Sequence, residues 1–292
     1  TLPRWSVFAG VGAVLLSVVA AFLFWQDISS FLGLGLWLMS LALLLAAVWP
    51  LKFAPKKHSS DLSRYYLEFG LLLVIVLVGC FLRTYRLDAI PNGCQSDECN
   101  NGLDALKWLS GAPYTPYAET NEGQATLFTY GLALFFRLFG ASVPTMRFLS
   151  AVVGVCTIIT FYFLARYLFD IRTALVGSAF LAASRWHITF SRIIYEAIMV
   201  PLFEILTFYF LWRGLQEGRW RYYVLAGISL GLGLNTYTAF RVVPLAAIVF
   251  CLYWLIMHHR SLRRYLPGLI LLVLSATMTV IPLVIYILQH LK

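Results

Sequence analysis

Charge is what this sequence is short of. Only 12% of its 292 residues are Asp, Glu, Lys or Arg, against 61% hydrophobic ones. A soluble domain carries about 25% charged residues and about 45–50% apolar ones, so a water-soluble globule is excluded. Cysteine is also scarce: five residues, an odd number, which rules out a disulfide framework. Cys80, Cys156 and Cys251 fall in apolar runs and read as packing residues. Acids are outnumbered, 13 against 22 basic residues, giving a net charge of +9. The basic residues do not suggest nucleic acid, because they lie between apolar runs, where cytoplasmic loops collect them. A cleavable leader, low-complexity tracts, internal repeats and a soluble domain all fail to show in the sequence.

What the chain has instead is a series of long apolar runs, with a mean hydropathy of +0.80. Runs of 17 or more apolar residues can cross about 30 Å of hydrocarbon. Nine spans are expected, at 7–25, 31–49, 66–82, 146–168, 173–190, 196–213, 222–236, 242–257 and 265–287. The fold class is therefore an all-α polytopic membrane bundle. Residues 1–65 supply two N-terminal helices and a basic linker, and residues 66–292 supply the core.

The run 124–139 is only marginally long and contains Arg137, so charge must decide whether it crosses. The linker 52–64 carries Lys52, Lys56, Lys57 and Arg64 and is expected in the cytoplasm. If 124–139 does not cross, the short loops bearing Arg166 and Arg172, Arg213, Arg219 and Arg221, and Arg260, Arg263 and Arg264 all lie inside as well. If it crosses, all of them lie outside. Residues 124–139 are therefore expected to be an interfacial helix, within an extracytoplasmic segment 83–145. That segment holds Asp88, Asp97, Glu98, Asp104, Glu119 and Glu122.

Within it, the stretch CQSDECNNG (94–102) opens a short helix, with Ser96 as the expected N-cap and Gly111 as the stop. Asp97 and Glu98 there either complement the helix dipole or form a reaction centre at the membrane surface. Cys94 and Cys99 are either joined as a clasp or free, with one pointing away. Two cysteines without a nearby His make a poor thiolate metal site. The same topology brings Glu196 to the outer end of its span, with Arg185, His187, Arg192 and Arg241 also on the outer side. Each arginine alone reads as an interfacial residue reaching for headgroups. Together with the acids they suggest an anion pocket, because guanidinium forks suit phosphate oxygens. Glu204, two turns deeper, keeps a transporter or lipid flippase as an alternative.

The ordered set of a span, RTYRLDAIP (83–91), SDE (96–98), an interfacial helix, ASRWHITFSR (183–192) before Glu196, and GLGLNTYTAFR (231–241) resembles a known family. It is similar to the GT-C membrane glycosyltransferases of the protein O-mannosyltransferase and aminoarabinose-transferase type, glycosyltransferase family 39 and its relatives. The resemblance spans roughly 66–290. It implies a multi-pass protein of a prokaryotic plasma membrane with an extracytoplasmic active site. The donor would be a polyprenyl-phosphate-linked sugar, and the acceptor a protein, lipid or glycan. It implies catalytic roles for Asp97, with Glu98 beside it, and for Glu196. Arg241, Arg192, Arg185 and Tyr237 become donor-phosphate ligands, and a divalent cation between Asp97 and Glu196 is left open. Relatives often carry Lys where this chain reads EGQATLF, so part of the phosphate clamp is unassigned. The family also continues beyond the core spans, so a fragment, a short variant or a non-catalytic truncated relative is expected.

Overall fold

The computed structural model describes residues 4–26, 30–49, 62–120, 123–259 and 262–290. The linker residues Lys52, Lys56 and Lys57, and also Glu122 and Arg260, lie outside these, as does the side chain of Arg64. Helices α1 (Arg4–Trp25) and α2 (Ser30–Val48) pair with each other and pack on α12 (Leu262–Gln289). Between them come α3 (Leu62–Thr84), α4 (Ser96–Leu109), a two-stranded hairpin β1 (Tyr117–Ala118) and β2 (Gln124–Ala125), and α5 (Leu127–Phe139). The bundle continues with α6 (Val143–Leu168), α7 (Ile171–Ala183), α8 (Arg185–Phe190), α9 (Met199–Glu217), α10 (Trp220–Leu234) and α11 (Val242–Met257). Single 3-10 turns, Glu196–Ile198 and Thr238–Arg241, precede α9 and α11.

Among the described residues, seven helices are long and apolar enough to cross a membrane: α1, α2, α3, α6, α9 and its preceding turn, α11 and its preceding turn, and α12. The protein is a multi-pass integral membrane protein. Two of the nine expected spans fall short of a membrane-crossing helix. The span expected at 222–236 is the 15-residue α10, shifted two residues earlier, and residues 173–190 are cut at Ser184 into α7 and α8. The cut has a visible cause. Arg83, fully buried, donates from its guanidinium to the carbonyls of Ala182 at 3.0 Å and Leu181 at 3.4 Å. Those oxygens would otherwise need N–H partners one turn further on. The α5 helix is 13 residues long, roughly 20 Å, too short to span.

The core next to the polar end of the bundle is built by α4, α5, α6 and the start of α9. Ala105, Phe128, Leu132, Phe136, Met146, Leu149, Ile194 and Ile198 fill it. In α5 the buried positions 128, 129, 132, 133 and 136 follow the helical period and make one apolar face. On the other side, Gly227 lets α10 approach α12 closely. A Cβ there would meet Ser275 Oγ and the Leu272 carbonyl.

Two further arginines hold the loop between α3 and α4. Arg147, 1% exposed on α6, donates to the carbonyls of Leu87 at 2.9 Å, Pro91 at 2.8 Å and Gly93. Arg192, buried after α8, donates to Leu82 at 3.0 Å, Tyr85 at 2.6 Å and Ile90 at 2.9 Å. Each stranded buried carbonyl costs about 1–3 kcal/mol, so either arginine matters more to the fold than any one surface pair. Arg147→Met is expected to lower the thermal unfolding temperature in detergent by several degrees. Arg147→Lys should not restore it, because one ammonium lacks the fork that reaches three carbonyls. A lysine variant melting with the wild type would remove this account of the loop.

Candidate functional site

Asp97 and Glu98 are neighbours in the first turn of α4, and the helix sends them in different directions. Glu98 is buried. Its carboxylate accepts from the backbone N–H of Ile194 at 2.9 Å and of Gln95 at 3.2 Å, and lies 3.8 Å from Arg147. The Gln95 bond makes Gln95 the N-cap, in place of the expected Ser96, because Glu98 at the third position reaches back to it. Glu98 thus ties α4 to the chain entering α9. Asp97, on the other flank, is exposed and lines a cavity of about 750 Å³. A disulfide joins Cys94 to Cys99, their Cα atoms 6.0 Å apart, and closes the loop around both acids.

The same cavity receives Glu196, Tyr195, Tyr237 and Arg241. Glu196 sits in the 3-10 turn before α9, 6% exposed, and its carboxylate accepts from Asn101 Nδ2 at 3.5 Å. Asn101 follows Asp97 by one helical turn of α4, so one face of that helix serves both acids. Tyr195 donates its hydroxyl proton to the Tyr237 oxygen at 2.8 Å. Burial first, then that bond and the nearby charges of Glu196 and Asp97, push the Tyr195 hydroxyl above its ordinary range. Tyr195 therefore stays protonated, and Tyr237, accepting its hydrogen bond, is free to donate its own hydroxyl hydrogen to an anion. Arg241 closes the 3-10 turn ahead of α11 with its side chain exposed.

Part of the lining is different in character. Leu234 at the end of α10 and Val280, Leu283, Val284 and Ile287 of α12 are apolar and line the same cavity. The polar lining suits a charged headgroup, and the apolar lining suits a hydrocarbon chain.

Four of the sequence-derived candidates, Asp97, Glu196, Tyr237 and Arg241, therefore meet in one cavity. Five others are elsewhere. Glu98 faces the protein interior. The Arg192 guanidinium is occupied by one carbonyl at the end of α3 and two of the loop after it and is not on the cavity wall. Arg185 is exposed at the start of α8, also off the wall. His187 accepts at Nδ1 from Arg83 Nη2 at 2.8 Å, which makes it a structural partner of that arginine. Glu204 is exposed on α9 and not part of the cavity. Tyr195, Asn101 and Gln124 escaped notice because neutral polar residues in amphipathic segments carry little signal. The spacing of Asn101 from Asp97 was the one available clue.

Among the described residues, no three or more His, Cys, Asp or Glu side chains gather as a metal cage. Asp97 and Glu196 offer a cation two carboxylates, and hard divalent ions need about six oxygens. No chemical step below depends on one.

The model of the family described as dolichyl-phosphate-mannose-protein mannosyltransferase matches residues 124–286, more than half of the chain. The match includes Glu196, Tyr237 and Arg241 but not Asp97. Among solved structures, the crystal structure of ArnT from Cupriavidus metallidurans bound to undecaprenyl phosphate is similar, with a TM-score of 0.54 at 15% identity. The alignment covers 80% of this chain and 43% of that one, so the chain spans less than half the length of that relative. The likeness shows a shared GT-C-like architecture, as the sequence led us to expect. Among curated proteins none matches.

Glu98→Gln is expected to loosen the junction of α4 with Ile194. The neutral amide weakens charge-assisted bonds to two backbone N–H groups and removes the charge facing Arg147. Melting temperature should fall, whereas the affinity of the folded fraction for a lipid phosphate should stay near wild type. Weakened lipid binding at unchanged stability would instead place Glu98 in the site.

Proposed function

The chain belongs to the dolichyl-phosphate-mannose-protein mannosyltransferase family, and on that premise we propose that it transfers a sugar from a polyprenyl-phosphate donor to a hydroxyl acceptor. The observation that carries this reading is one cavity lined both by carboxylates, Tyr237 and Arg241 and by apolar residues of α12. A phosphate at the polar side would take charge-assisted bonds from Arg241 and the spare Tyr237 proton. Its isoprenoid tail would lie along Leu283, Val284 and Ile287.

The reaction needs one base and one anion stabiliser. The acceptor oxygen attacks the anomeric carbon as the carbon–oxygen bond to phosphate breaks, and the polyprenyl phosphate departs with the electron pair. A phosphate is a stable leaving group, so no acid need protonate it, unlike a glycoside's alcohol. Asp97, exposed to the cavity, takes the proton from the acceptor hydroxyl. Arg241 stabilises the charge arriving on the phosphate. Glu196, held by Asn101, supports positive charge on the sugar ring in the transition state. Direct displacement inverts the anomeric centre. The pattern of basic loops supports an extracytoplasmic site.

The test is release of undecaprenyl phosphate from undecaprenyl-phosphate-linked hexoses by protein in lipid nanodiscs, with a membrane extract supplying acceptors. Asp97→Asn is expected to cut turnover by roughly 10²–10⁴-fold with little change in lipid affinity. Arg241→Ala should lower both turnover and affinity, since the phosphate is bound before and during departure. Full turnover in Asp97→Asn would falsify its role as base. Sidedness is checked separately: Lys107→Cys on α4 should react with an impermeant maleimide in intact cells, and labelling only after lysis would invert the topology.

A further inference from the structure

Gln124 lies on β2, in the wall of the cavity, and is 8% exposed. Its Nε2 donates to Asn101 Oδ1, and Asn101 Nδ2 in turn donates to Glu196 Oε2. The polarity of this chain is set from its far end. A carboxylate can only accept, so Asn101 must turn its nitrogen to Glu196 and its oxygen to Gln124. Gln124 must answer with its own nitrogen. Its Oε1 is thereby left over, enclosed and without a hydrogen-bond partner among the described residues. An enclosed acceptor lacking a donor carries its full desolvation cost, so a donor from outside the protein is favoured there. The hairpin keeps the amide in place. Ala118 pairs with Gln124, and Tyr117 packs its ring over Gly123, whose φ of 93° and absent Cβ make that close approach feasible.

We propose that Gln124 is a specificity-determining residue for the donor sugar, its Oε1 accepting a hydrogen bond from a hydroxyl of the sugar ring. This rests on the glycosyltransferase reading and divides the polar side of the cavity in two. Arg241 and Tyr237 present donors and take the phosphate. Gln124 presents an acceptor, which disfavours a phosphate oxygen and selects a hydroxyl. Because the amide is oriented through Asn101 by Glu196, the sugar is read by a group that the second acid of the site holds in register.

Binding measurements separate this proposal from the reading beneath it. The probes are undecaprenyl phosphate alone, its mannose-linked form, and the 2-, 3-, 4- and 6-deoxy mannose analogues, titrated against protein in nanodiscs. Wild type is expected to bind one deoxy analogue about tenfold more weakly than the mannose lipid. Gln124→Met, of similar length but without polar atoms, should bind that analogue and the mannose lipid equally, with unchanged affinity for undecaprenyl phosphate. Gln124→Leu removes the same polar atoms with a shorter side chain and should show the same equality. It carries the test alone if the methionine variant does not fold. The same deoxy penalty in either variant overturns the proposal while leaving the phosphate site intact. If wild type does not bind undecaprenyl phosphate, or binds it equally after Arg241→Ala, the glycosyltransferase reading falls, and this inference with it.

Discussion

Inside a bilayer a peptide carbonyl without a partner costs several kcal/mol, and this protein places its candidate site where helices stop. Each stop frees carbonyls, and three buried arginines take them up. Arg83 bonds the end of α7, Arg192 the end of α3 and the loop after it, and Arg147 the remainder of that loop. A guanidinium offers five donors in a plane, so one side chain can terminate a helix and tether a loop together. The position of Asp97 follows from this arrangement. Arg147 and Arg192 fix the chain up to Gly93, Glu98 bolts the first turn of α4 to Ile194, and Asp97 is left facing the cavity.

Two neighbouring acids thus have opposite tasks because of one helical step. Glu98 points toward two backbone N–H groups and a buried arginine, where its charge is fully used by the protein. Asp97 points toward a space shared with Glu196 and Arg241. The disulfide between Cys94 and Cys99 encloses both positions, so the loop carrying them is restrained at either end. The α12 helix, which lines the same cavity, is brought close by Gly227 of α10, and the same α10 leads directly into the turn with Tyr237 and Arg241. The polar and apolar walls are therefore coupled through one helix contact.

The hydropathy of the chain made the bundle legible, and the placement of its basic loops was enough to put Asp97, Glu196, Tyr237 and Arg241 on one side. Charge could not sort the arginines. Arg192 bonded to carbonyls and Arg241 open to a cavity look alike in a sequence, since both sit at the end of an apolar run. Arg147 drew no attention at all, although a cation inside a span-length helix is itself a sign of buried acceptors nearby. The break at Ser184 was hidden for a related reason: it depends on a partner 101 residues away in Arg83, and no local residue there disfavours a helix. Asn101 and Gln124 were invisible because their role lies in the direction of their amides.

The brevity of α10 has a consequence for the lipid around it. Fifteen residues rise about 22 Å, several ångströms less than the hydrocarbon layer of a bilayer. A bilayer meets a helix this short by thinning beside it, or the helix meets the bilayer by snorkelling of its flanking side chains. On the glycosyltransferase reading, thinning beside the turn with Tyr237 and Arg241 would lower a lipid phosphate toward Arg241.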